Sequence, residues 1–180
     1  MGQVKRNQVF HETLIPLLVE GIGARSYLEF GVYQGATITR VKCAKRYGVD
    51  TCTEPDMSIA FPTYELAYFR MTTQQFIENH AARLAPFDVV FIDADHSEDA
   101  VRKDFDGIWP YVSKEGLILL HDTNPETIKD TEPGLCGNAW LFAQDLFLDH
   151  NDTPMYEVVT LPYHPGLTII RKRISWGPEE

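Results

Sequence analysis

The spacing of apolar positions changes period repeatedly along the chain, and each change marks an element. Residues 8–19 carry Val9, Phe10, Leu14, Leu17 and Leu18, a spacing that predicts an amphipathic helix, broken or kinked near Pro16. Ser26–Phe30 is a short apolar run that ends in the glycine-bearing turn GVYQG. Residues 36–47 read as a helix whose basic last turn (Lys42, Lys45, Arg46) suits the dipole, with Gly48 as its stop. Residues 49–52 and 66–71 are strand candidates, and 73–83 reads as a helix with Phe76, Ile77 and Leu84 on one face. Phe87–Ile92 is a continuous apolar run, the pattern of a strand covered on both faces. Residues 97–112 predict a helix capped by Ser97, with Glu98 and Asp99 in its first turn and Ala100, Val101, Phe105, Ile108 and Trp109 as its apolar face. Residues 116–120 form another buried strand candidate, and Ala139–Leu148 another helix. Between them, 122–137 is a Pro-, Gly-, Asp- and Thr-rich loop of a length that is usually functional or mobile. Residues 155–161 and 167–171 flank PYHPG as a hairpin.

This alternation predicts an α/β fold: a doubly wound, Rossmann-like, mostly parallel sheet with a C-terminal antiparallel hairpin. The 180 residues suit one domain spanning 1–180. In such sheets ligands bind beyond the carboxyl ends of the strands, at the topological switch point. That rule directs attention to residues 29–35, Asp50, 93–96, His121 and Asp122.

Composition narrows the partners. A formal net charge of −10 disfavours nucleic acid and anionic membranes, which reward a basic face. The cysteines, Cys43, Cys52 and Cys136, are odd in number and widely spaced, so they predict reduced, mostly buried thiols rather than a disulfide framework or a zinc knuckle. The N-terminus lacks the apolar run of a signal peptide, and no stretch approaches the ~20 apolar residues of a membrane span. The expectation is a soluble, cytoplasmic protein.

Four clusters can carry chemistry. In Glu29-Phe30-Gly31-Val32-Tyr33-Gln34-Gly35, Gly31 permits a tight turn, Gly35 permits close backbone approach, and an acid before the first glycine suits a cationic ligand group. The pattern is not G-x-G-x-x-G, which disfavours a dinucleotide. Asp50, some twenty residues on, can hold a ribose diol, with Glu54 and Asp56 as rivals. Asp93-Ala94-Asp95-His96 follows a buried strand, although Asp95 or His96 can equally serve the start of the next helix. Asp122 ends the neighbouring strand, so its carboxylate and that of Asp93 can converge on a hard divalent cation such as Mg²⁺. Such a cation would acidify a substrate hydroxyl, and His96 could take the proton, because imidazole titrates near neutral pH.

In order, YLEFGVYQGATI, FRMTTQQF, FDVVFIDADHSEDAV and KEGLILLHDT resemble four blocks of a class I S-adenosylmethionine-dependent methyltransferase. The likeness is strongest to small bacterial enzymes related to macrolide sugar O-methyltransferases and cephalosporin hydroxylases, and it covers about residues 26–172. The resemblance implies that Glu29, Gly31 and Gly35 hold the amino-acid end of the cofactor, and that Asp50 binds its ribose. It implies that Thr72 and Thr73 lie beside the adenine and Asp93 beneath the sulfonium. It further implies that His96 is the base and that Asp93 and Asp122 are metal ligands. Position 121 is His where some metal-dependent relatives carry a third carboxylate, and CTEPDMSIAFPTY departs from the short Asp-Pro turn expected after Asp50. The implied reaction is O-methyl transfer to a hydroxyl of a small molecule or sugar, with Mg²⁺ as a candidate second cofactor. The competing readings are a non-catalytic binding or regulatory module on the same fold, and a metal-dependent hydroxylase or hydrolase using Asp93, His96, His121 and Asp122. Acceptor specificity is expected in residues 53–65, the 122–137 loop, Tyr163 and His164.

Overall fold

The structure, a computed structural model, describes residues 10–52, 64–148 and 155–173. Helix α1 (Phe10–Gly21) leads into β1 (Ser26–Phe30), then β2 (Lys45–Asp50) and β3 (Glu65–Arg70). Helix α2 (Thr73–Phe76) passes through a π-helical turn, Ile77–Ala81, into α3 (Ala82–Leu84). Strand β4 (Phe87–Ile92), helix α4 (Glu98–Ile108), strand β5 (Val112–His121), helix α5 (Ala139–Leu148) and the hairpin β6 (Tyr156–Leu161) and β7 (Leu167–Lys172) complete the order.

These strands form one seven-stranded sheet in the order β3-β2-β1-β4-β5-β7-β6. Strands β1 to β5 pair in parallel, and β7 runs antiparallel to both β5 and β6. The predicted fold class is therefore the observed one. The chain runs outward from β1 to β3 and returns to β4 on the other side of β1, so the switch point lies between β1 and β4.

Burial follows the two-residue period of a strand. Leu28, Phe30, Val90, Ile92, Ile118 and Leu120 join one core with Phe76, Phe105 and Phe142. Their alternates Tyr27, Val89, Phe91, Leu117 and Leu119 join a second core with Ile15 and Val19 of α1. With apolar layers on both faces, these strands read as unbroken apolar runs. Continuing the alternation, Asp93 and His121 leave β4 and β5 on the α1 side of the sheet.

Several boundaries differ from the sequence reading. Residues 36–47 are not a helix: residues 36–40 are mostly turns, and β2 begins at Lys45, whose N–H bonds to the carbonyl of Arg25 at 3.0 Å. The Thr39 hydroxyl donates to the Gly35 carbonyl at 2.6 Å, a local side-chain bond of the kind that competes with helix, and pairing with β1 claims the backbone beyond it. Ser97 does not cap α4 through its side chain. Asp95 Oδ1 accepts the Ser97 N–H at 2.8 Å, and Asn138 Oδ1 accepts the Glu98 N–H at 2.8 Å. Helix α4 ends at Ile108 in a 3₁₀ turn, Trp109–Tyr111, so Val112 already belongs to β5. Pro16 lies inside α1 without ending it. Gln8, Val9 and most of 53–65, including Glu54 and Asp56, fall outside the described residues. Cys43 and Cys136 are buried, Cys52 is exposed, and all three are free thiols. Among the described residues, no helix is long and apolar enough to cross a membrane.

Candidate active site

A cleft of about 1090 Å³ opens beyond the carboxyl ends of β1, β2, β4 and β5. Its lining includes Gly31, Asp50, Thr72, Thr73, Asp93, His96 and Asp122 from the sequence-derived set. Tight backbone packing brings these strand ends together. The Asp93 N–H bonds to the Phe30 carbonyl and the Gly31 N–H to the Val49 carbonyl, both at 2.9 Å. Gly31 has φ +84°, and a Cβ there would stand 2.0 Å from the Asp93 carbonyl oxygen. Only glycine fits between the turn and Asp93.

Glu29 and Gly35 are placed differently, since neither lines the cleft. Glu29 is 2% exposed, and its carboxyl accepts the Tyr27 hydroxyl at 2.5 Å. Burial is the main cause that raises its pKa to about 8, with the Tyr27 hydrogen bond opposing. Asp50 does face the cleft. Its two oxygens accept the backbone N–H of Tyr33 at 2.8 Å and of Cys52 at 2.9 Å. Burial pushes its pKa up, but these bonds prevail and hold it below the usual value. A charged carboxylate with spare lone pairs is thus oriented at the end of β2, as a ribose diol requires.

Thr72 opens α2 with a capping box: its hydroxyl accepts the Gln75 N–H, and the Gln75 side chain accepts the Thr72 N–H. Thr73 is tied beneath it, donating to the buried Asp104 of α4 at 2.6 Å.

The reactive wall joins β4, β5 and the loop after each. Asp93, His96 and Asp122 each offer one ligand atom, all within 4.8 Å of one another. His96 Nδ1 is hydrogen-bonded to the Leu135 carbonyl and lies 3.1 Å from Asp122 Oδ2. Its Nε2 lies 3.7 Å from Asp93 Oδ1. The 122–137 loop lies against His96 at Gly137, where a Cβ would meet the His96 carbonyl oxygen at 2.4 Å. Two carboxylates with an imidazole close by have the donor chemistry of a divalent-cation site.

Two further histidines belong to this wall. His121 Nδ1 donates to Asp93 Oδ1 at 2.9 Å and lies 3.3 Å from Asp122 Oδ2. His121 Nε2 lies 3.1 Å from His11 Nδ1 on α1. Burial and the neighbouring His121 lower the His11 pKa to about 4, so it accepts at Nδ1 as a neutral ring. Burial opposes the charge on His121, but Asp93 and Asp122 outweigh it and raise its pKa to about 10. Asp122 is 5% exposed, and burial works against its charge. Hydrogen bonding to His121 and the nearby imidazoles still holds its pKa below the ordinary range. His11 carries no sequence signal: its neighbours Phe10 and Glu12 belong to an ordinary amphipathic helix, and only tertiary packing takes it to β5. His164 also lines the cleft, and its Nδ1 is buried with no partner among the described residues.

Comparison with known proteins bears on the fold and the family. No curated protein matches the chain. Solved structures match at low identity, which speaks for the fold alone. Cofactor-bound Rv0187 from MTB has a TM-score of 0.72 at 14% identity, covering 96% of this chain and 84% of that one. The O-methyltransferase TomG from Streptomyces achromogenes, solved in complex with SAM, has a TM-score of 0.68 at 14% identity, covering 91% and 80%. MycE from the mycinamycin biosynthetic pathway, in complex with Mg, SAH and mycinamycin VI, has a TM-score of 0.62 at 17% identity, covering 100% of this chain and 54% of that one. A family model described as a methyltransferase domain matches residues 28–123, which run from β1 to just past Asp122. That match covers more than half of the chain and every strand end of the cleft, and the protein belongs to this methyltransferase family.

Proposed function

We propose that the protein transfers a methyl group from S-adenosylmethionine to a hydroxyl of a small molecule or sugar. The observation that carries this reading is the convergence of Asp93, His96 and Asp122 in a cleft that Gly31, Asp50 and Thr72 also line. Methyl transfer from a sulfonium is an in-line displacement, so the protein must align two ligands, exclude water and accept one proton.

In this reading Asp50 accepts the ribose hydroxyls, and the Thr72 turn borders the adenine. Asp93 stands under the sulfonium as a fixed negative charge. His96 takes the acceptor proton at Nε2, because its Nδ1 is engaged by the Leu135 carbonyl. Asp93 and Asp122 would hold a divalent cation, which when bound supplies a Lewis acid that lowers the pKa of a coordinated hydroxyl. Glu29 lies behind the turn rather than against the ligand, so its contribution is to shape the turn.

Calorimetry with S-adenosylhomocysteine tests the donor half. Asp50→Ala is expected to weaken binding by at least about tenfold, the loss of charge-assisted hydrogen bonds to the ribose. Absence of binding by the wild-type protein would sink the reading. For the acceptor half, His96→Ala is expected to lower kcat about 10²-fold or more with little change in S-adenosylhomocysteine affinity. Unchanged turnover would remove His96 as the base.

A further inference from the structure

His121 and His11 take no part in the roles assigned above, yet His121 lines the cleft beside Asp93 and His11 backs it. His121 Nδ1 lies 2.9 Å from Asp93 Oδ1 and 3.3 Å from Asp122 Oδ2. Ligand atoms at right angles around a dication with bonds of about 2.1 Å stand about 3.0 Å apart. Both separations match that edge length; without a metal the 2.9 Å one carries the Nδ1–H hydrogen bond to Asp93, whose proton a bound cation would displace. His96 is less well matched, with Nε2 at 3.7 Å from Asp93 Oδ1 and Nδ1 engaged by the Leu135 carbonyl.

The other edge of the His121 ring is also arranged. Its Nε2 lies 3.1 Å from His11 Nδ1, and the two rings meet edge to face with centroids 4.3 Å apart. An imidazole that ligates a metal characteristically donates its other N–H to a fixed acceptor, which sets the tautomer and aims the ligating lone pair. His11 is in turn held on α1 between Phe10 and Phe91, with ring centroids 6.0 and 5.9 Å away. The pair thus has the layout of a ligand and its outer-sphere support.

An imidazole changes what the site prefers. Mg²⁺ favours an all-oxygen, octahedral shell, whereas imidazole nitrogen favours cobalt, nickel, iron and zinc. We propose that the cation site is a mixed nitrogen–oxygen centre of Asp93 Oδ1, Asp122 Oδ2 and His121 Nδ1, oriented by His11, which takes a transition-metal dication in preference to Mg²⁺. The proposal rests on the assignment of Asp93 and Asp122 as metal ligands made above. His121 is then a ligand, and His11 a positioning residue.

Competition calorimetry on the metal-free whole protein, with Co²⁺ and Mg²⁺ as probes, tests the preference. Wild type is expected to bind Co²⁺ at least about 100-fold more tightly than Mg²⁺, and His121→Asp to narrow that ratio at least about tenfold. His11→Phe is expected to weaken Co²⁺ binding about 10- to 100-fold while leaving S-adenosylhomocysteine affinity unchanged. Pulsed electron paramagnetic resonance of the Mn²⁺-loaded wild type provides a direct readout that does not depend on a variant folding. It should show ¹⁴N coupling, and His121→Asp and His121→Asn should abolish it. A ratio unmoved by His121→Asp, an oxygen-only spectrum in wild type, or coupling that persists without His121 would each overturn the proposal. Failure of every cation to bind would remove both the proposal and the Asp93–Asp122 metal assignment. S-adenosylhomocysteine binding, measured on the same metal-free preparation, reports separately on the methyl-donor reading.

Discussion

Glu29 is an acid set in an apolar layer, and its pKa of about 8 has a consequence for stability. An unfolded chain ionises this carboxyl near 4.5. Between those two pH values the folded protein binds more protons than the unfolded one, so stability falls as pH rises and levels off above about 8. Glu29→Gln removes that slope while keeping a partner for Tyr27. Denaturant unfolding at about pH 5 and about pH 8.5 should show a smaller loss with pH in the variant than in wild type. Parallel profiles would mean that Glu29 ionises normally. Gly31 is the opposite case, a residue whose importance is the absence of a side chain. Gly31→Ala would drive a Cβ into the Asp93 carbonyl from a left-handed backbone, which is expected to cost at least ~2 kcal/mol and to impair ligand binding. A variant with wild-type unfolding midpoint would show that the turn and β4 can separate.

At the scale of elements, the site depends on a contact between two helices, α2 and α4. Asp104 of α4, 3% exposed, accepts the Thr73 hydroxyl at 2.6 Å and the Gln74 side-chain amide at 2.9 Å. It therefore sets the start of α2 and, through the Thr72 capping box, one border of the cleft. Asp104→Ala is expected to destabilise the protein by about 1–3 kcal/mol, because two donors lose their acceptor. It should also weaken S-adenosylhomocysteine binding by several-fold, and full-strength binding in the destabilised variant would show that α2 is set by packing alone. Element identity was legible where one interaction dominates. Phe87–Ile92 and Ala139–Leu148 keep their predicted bounds because apolar periodicity alone decides them. The 36–47 segment was misread because its local pattern and basic end resemble a helix, while the β1 edge it pairs with lies outside any local window. The start of β5 was missed for the same reason: Pro110 turns the chain after α4, and strand pairing with β4 claims Val112.

Across the whole molecule, the order β3-β2-β1-β4-β5-β7-β6 converts separate motifs into one cleft. S-adenosylhomocysteine at a hundred times its Kd should stabilise the folded protein by about 2.7 kcal/mol, seen as a raised unfolding midpoint. The gain should fall to about 1.4 kcal/mol or less in Asp50→Ala at the same ligand concentration, and an undiminished gain would place the ligand elsewhere. The sequence by itself determined the α/β class and the strand-end acids and histidines that line the cleft, because two-faced burial and glycine turns leave local patterns. Only the tertiary structure decided which acid meets the cleft. Asp50 is oriented into it by backbone N–H groups, whereas Glu29 is folded away against Tyr27. Only the tertiary structure brought His11 to His121, across 110 residues of chain. Strand alternation sends His121 to the α1 side of the sheet, and the packing of α1 there is a long-range event with no trace in local spacing.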